Sequence, residues 1–130
     1  MVDLTWRRDI ATGIQVVDEQ HQQLLQLARE TEALLDGGTP EHVTAKLKAL
    51  IDYTRHHFAS EEQAMTVFCP HVLEKHAEEH QRLTKLVLAL WETREQIELT
   101  PQELFGTLCD WVLGHIIQRD LVDLKPTTGD

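Results

Sequence analysis

Histidine is the unusual residue of this chain. Eight occur among 130 residues, and imidazole is the commonest transition-metal ligand among side chains. Five of them, His21, His57, His76, His80 and His115, fall on the inward stripes of otherwise apolar helical patterns. His57 and Glu61 stand four apart, as do His76 and His80, so each pair shares one helix face. A single histidine on an apolar face is ordinarily a core residue with a hydrogen-bond partner. Five of them with a buried carboxylate, and no Lys or Arg in the stripes, need a common counter-charge. A metal centre meets that need for all of them together. Asp120 is the least certain member by spacing. It lies about 140° from His115 on a regular helix, and joins the set only if the helix ends, bends or makes an i→i+5 turn there.

Donor count and type narrow the metal. Five imidazoles and two carboxylates exceed the roughly four ligands of one zinc ion. They suit two five- or six-coordinate ions bridged by carboxylate, and nitrogen and oxygen donors without thiolate fit iron or manganese. The Glu-x-x-His motif of ferritin-like di-iron proteins is absent, because Asp18, Thr54, Leu73, Ala77 and Val112 stand three residues before the five histidines. A histidine-rich pair carries less ligand charge and favours the reduced ions, which suits reversible oxygen binding over oxidative attack on a substrate. "HAEEH" (76–80) also fits the H-x-x-E-H protease pattern with Glu79 as base. That reading leaves His21, His57, Glu61 and His115 unexplained. His42, His56 and His71 lie off the stripes. Glu78 and Glu79 fall on solvated faces, and His56 and Glu62 are left to solvent or to support behind the ligands.

Four helices must position these groups. The first is expected from Val17 to Leu35, with Asp18 as N-cap and a glycine of "DGG" (36–38) taking the left-handed conformation that ends it. The second opens at Thr39-Pro40, a threonine cap followed by proline at the first helical position. The third runs from near Pro70 to about Trp91. The fourth opens with "TPQE" (100–103), a capping box around Pro101. Three short connections make sequential helices antiparallel. The fold class is therefore all-α, an up-down-up-down antiparallel four-helix bundle. An extended N-terminal arm, 1–16, packs through Leu4, Trp6, Ile10 and Ile14, the bundle occupies 17–120, and 121–130 form a C-terminal tail. All of it reads as one domain, 1–130.

Bulk composition excludes several partners. With 12 Lys and Arg against 22 Asp and Glu, the formal charge is −10. That opposes binding to nucleic-acid phosphates and to anionic membrane surfaces, and no segment approaches membrane-spanning length. Cys69 and Cys109 lack CxxC spacing and read as reduced thiols in a cytoplasmic protein.

"GIQVVDEQH" (13–21), "HFASEEQAM" (57–65), "HAEEH" (76–80) and "WVLGHIIQRD" (111–120) together resemble the signature segments of the hemerythrins, specifically the single-domain bacterial type. The resemblance spans Trp6 to about Lys125. It implies two iron ions with an oxo or hydroxo bridge. One ion takes His76, His80 and His115, and the other takes His21 and His57 and keeps an open position. Glu61 and Asp120 bridge them, since the family's bridging aspartate stands five residues after the histidine. The implied function is non-enzymatic: reversible dioxygen binding for transport, storage or buffering, with an oxygen-consuming acceptor protein as a possible recipient. A di-iron oxygen or redox sensor, and an iron-handling, peroxide- or nitric-oxide-reactive protein, are the alternatives. Residues three or four from a ligand, namely Leu24, Phe58, Trp111, Val112 and Ile116, are expected to wall the oxygen pocket with apolar groups. Arg7, and Cys69 before Pro70, depart from the usual family residues at positions that hold no ligand.

Overall fold

A computed structural model describes residues 4–6, 10–116, 120 and 124. Four helices carry the fold: α1 Gln15–Leu35, α2 Pro40–Phe68, α3 Leu73–Thr93 and α4 from Pro101–Leu108, with no strand among the described residues. α1 packs along α2, α2 against α3, and α4 closes onto the other three. With short connections between successive neighbours, this is the up-down-up-down bundle that the sequence predicts.

The helix ends show which local rules held. Thr39 Oγ1 accepts from His42 N at 3.2 Å and caps α2. The α4 capping box is complete: Glu103 N donates to Thr100 Oγ1 at 3.1 Å, and Thr100 N donates to Glu103 Oε1 at 2.9 Å. Pro70 opens a short 3₁₀ turn, Pro70–Val72, before α3 proper begins at Leu73.

Two expectations about α1 need correction. Its N-cap is Ile14, without a side-chain cap bond. Asp18 instead turns its carboxylate back to the arm, accepting from Thr12 N and Thr12 Oγ1 at 2.8 Å each and from Gly13 N at 3.0 Å. That cage holds the arm in a bend at Gly13, which has φ 88°, a conformation open to glycine at little cost. Gly37 and Gly38, by contrast, do not adopt positive φ. Gly38 is required by space: a Cβ there would sit 2.8 Å from Leu34 O, the carbonyl that accepts Gly38 N at 2.7 Å.

The arm packs as expected, with Leu4, Ile10 and Ile14 buried and Trp6 against the core. Arg29 Nη1 donates to Leu4 O at 2.6 Å and ties it to α1. The larger apolar cluster fills one end of the bundle around Leu24, Leu47, Ile51, Phe105 and Leu113. A smaller one, Ile14, Val17, Met65, Cys69 and Leu124, closes the other. Leu124 is helical, past the bundle end expected at 120, while the rest of 121–130 lies outside the described residues. Buried hydroxyls are satisfied within their own helices: Thr31 Oγ1 donates to Leu27 O and Thr54 Oγ1 to Leu50 O. Phe105 is fully buried in the larger cluster. Phe105→Ala is expected to cost about 3–5 kcal/mol of stability, read as a lowered urea midpoint at unchanged slope.

Candidate metal centre

Along α2 the buried residues run Val43, Leu47, Leu50, Ile51, Thr54, His57, Phe58, Glu61, Met65. The polar members therefore fall between the two apolar clusters. Each helix brings donors to this level. α1 supplies His21, α2 supplies His57 and Glu61, and α3 supplies His76 and His80 one turn apart. The fourth contribution depends on a distortion. After Leu108 the chain widens into a π-helix over Cys109–Leu113, where Gly114 N donates to Cys109 O, five residues back. Ile116 and Asp120 carry the same widened geometry. Residues five apart then share a face, and His115 Nε2 comes to 3.2 Å from Asp120 Oδ1.

All seven expected donors meet in one buried cage. They form two overlapping groups: Glu61, His76, His80, His115 and Asp120, and His21, His57, Glu61 and Asp120. The carboxylates belong to both, one oxygen to each. Glu61 Oε1 lies 2.7 Å from His76 Nε2 and 3.1 Å from His80 Nε2, while Oε2 lies 3.1 Å from His57 Nε2 and 3.4 Å from His21 Nε2. Asp120 Oδ1 lies 2.8 Å from His76 Nε2, while Oδ2 lies 3.0 Å from His21 Nε2 and 3.7 Å from His57 Nε2.

Hydrogen bonding alone does not satisfy this cage. Glu61 Oε2, His80 Nε2, His115 Nε2 and Asp120 Oδ1 make no well-formed hydrogen bond although fully buried, despite neighbours at 2.8–3.2 Å. His21 Nε2 and His57 Nε2 face each other at 3.1 Å. Orphaned buried polar atoms are costly, and cations placed between the two imidazole groups and the bridging carboxylates would satisfy all four. The donor set fits such ions.

Charge in the metal-free cage is balanced by protons. Burial pushes the His21 imidazole down, but Asp120 and Glu61 outweigh it and hold it at about 9. The same contest holds His76 at about 11 and raises His57. Burial and the neighbouring Asp120 push Glu61 up, yet His21, His57 and His76 win and bring it well below the usual carboxylate range. Asp120 is likewise lowered, against burial, by His115, His21, His57 and His76. Metal entry must displace protons from the imidazoles.

Two residues stand behind the donors: Glu62, for which that place is one of two expected, and Gln20, which no spacing rule singles out. His57 Nδ1 donates to Gln20 Oε1 at 2.8 Å, and His80 Nδ1 donates to Glu62 Oε2 at 2.8 Å. Each bond fixes the ring and leaves Nε2 turned inward. Glu62 thus takes the supporting one of its two expected places, behind the donor His80. Glu79 binds Arg82 instead, so it is not placed as the base of an H-x-x-E-H site.

Apolar side chains surround the cage. Phe58 stacks on His80, 3.9 Å between centroids and 6° between planes. Ile116 lines a cavity of about 10 Å³ beside His21, with Ile10, Leu25 and Leu113. Phe58 and Val112 line another of about 10 Å³ near Thr54 and Leu83. Leu24 and Trp111 border neither; Leu24 is buried in the larger cluster and Trp111 packs against it. Leu25, four residues after His21, lines the first of these cavities.

Comparison with known proteins agrees with this geometry. The chain is 29% identical over 120 residues to a bacteriohemerythrin of Pseudomonas aeruginosa, covering 92% of this chain and 78% of that protein. It is 29% identical over 117 residues to one from Stenotrophomonas maltophilia (89% and 76%) and 26% identical over 122 residues to one from Methylococcus capsulatus (92% and 93%). No solved structure matched the chain. Residues 12–123, from the Asp18-caged bend through all seven cage donors, match the hemerythrin HHE cation binding domain, and the chain belongs to that family.

Proposed function

We propose that the cage holds two iron ions and that the protein binds dioxygen reversibly, for transport, storage or buffering, as a binding protein rather than an enzyme. The observation that carries this reading is the split of each carboxylate, one oxygen toward His76, His80 or His115 and the other toward His21 and His57. Bound iron would supply the electrons and the exchangeable position that hold oxygen. The residues decide where that position lies. One group offers five donors and the other four, so the His21–His57 side is the one left open. Beside it Ile10, Leu25, Leu113 and Ile116 present an apolar wall, which excludes water and slows irreversible oxidation. His57, held by Gln20, keeps its ring aligned while a ligand enters and leaves.

The wall gives a test. Ile116→Asn places an amide in the cavity beside His21. Oxidation of the oxygenated protein should accelerate about tenfold or more, equivalent to roughly 1.4 kcal/mol of barrier, with iron content unchanged. An unchanged rate and an unchanged oxygen affinity would place oxygen elsewhere.

A further inference from the structure

The two halves of the cage are supported from outside by different chemistry. Behind His80 stands Glu62, a carboxylate 35% exposed in its side chain, with Oε2 2.8 Å from His80 Nδ1. Behind His57 stands Gln20, a neutral amide whose Oε1 is 2.8 Å from His57 Nδ1. A charged acceptor draws harder on the Nδ1 proton than a neutral one. It therefore raises the electron density that the imidazole offers through Nε2. Donor number leans the same way, five on the His80 side against four on the His57 side.

We infer that Glu62 and Gln20 are positioning residues that make the two metal positions unequal, so that the His76–His80–His115 position fills first and the His21–His57 position second. The inference rests on the reading that the cage holds two ions, and is independent of whether they bind dioxygen. Glu62 reaches solvent along an open cleft of about 340 Å³ flanked by Arg55 and Lys85. A change of its side chain can therefore be made at the edge of the protein, without opening the core.

Anaerobic titration of the metal-free full chain with Co²⁺, followed by visible absorption and calorimetry, tests this. The wild type should bind two ions in two resolved steps. Glu62→Gln keeps the size of the side chain and an accepting oxygen and removes the charge. It should weaken the first step by about 10–100-fold, the usual worth of a partner behind a metal-bound histidine, and leave the second unchanged. Gln20→Glu should do the converse, tightening the second step and drawing the two together. Far-UV circular dichroism and the thermal midpoint of each metal-free variant report folding separately, and a purely structural role would move both steps alike. Equal steps in the wild type, or a Glu62→Gln variant that changes neither step or both equally, would overturn the inference while leaving the two-ion cage intact. A wild-type stoichiometry of one ion would overturn the two-ion reading, and this inference with it.

Discussion

Glu61→Gln is expected to reduce bound iron from two per chain to one or none, with the helical bundle retained. Glu61 is fully buried and is shared by both donor groups. Its Oε1 faces His76 and His80, and its Oε2 faces His57 and His21. Glutamine has nearly the same shape but replaces one oxygen by an amide NH₂, which donates hydrogen bonds and offers no lone pair to a cation. Whichever way the amide turns, one metal position loses a donor and the cage loses a negative charge. The loss of affinity should exceed the about 10–100-fold attributed to a residue merely behind a ligand. Iron quantified per folded chain, with circular dichroism as the control, checks this, and a variant that retains two irons would contradict the bridging role.

The adjacent histidines of α2 give the second large effect. His57 is fully buried, with Nε2 3.1 Å from both Glu61 Oε2 and His21 Nε2. His56 is exposed, and its ring lies edge-on to Tyr53 at 5.7 Å. His57→Ala removes a donor, opens a void beside Phe58 and strands Gln20, so the protein should lose the ion on the His21 side. His56→Ala should bind the full complement with unchanged absorption. Equal loss from both substitutions would mean that α2 presents a different face to the core.

These two residues also show what a sequence makes legible. Neighbours on a helix differ by about 100°, so the stripe through Val43, Leu47, Leu50, Thr54 and Glu61 selects His57 over His56. The same periodicity located His21, His76, His80 and His115, and cap chemistry located Thr39 and Thr100, because these rules depend on a few adjacent residues. Asp120 lay beyond regular periodicity. Its place follows from the widened helix at Ile116 and Asp120, the i→i+5 turn that spacing left as a condition and that resemblance to known hemerythrins favoured. Gln20 carries no such signal and Glu62 only an undecided one, because each is the sequence neighbour of a donor on its own helix while supporting a donor on another. No spacing rule within one helix reports a contact between helices. Asp18 looked like a helix cap because its type and position suit one. Its use depends instead on the bend at Gly13, a conformation that no periodicity encodes. Leu24 and Leu25 are both buried, so the apolar stripe of α1 does not tell which of them borders a cavity.

The cage is proposed to hold two irons and to exchange dioxygen at one of them. The most direct measurement is an absorption titration of the reduced protein from anaerobic to aerobic conditions and back, with iron quantified on the same sample. Two irons per chain are expected, with a visible charge-transfer band that grows with oxygen and vanishes on purging. One iron or none, or a band that does not reverse, would contradict that proposal.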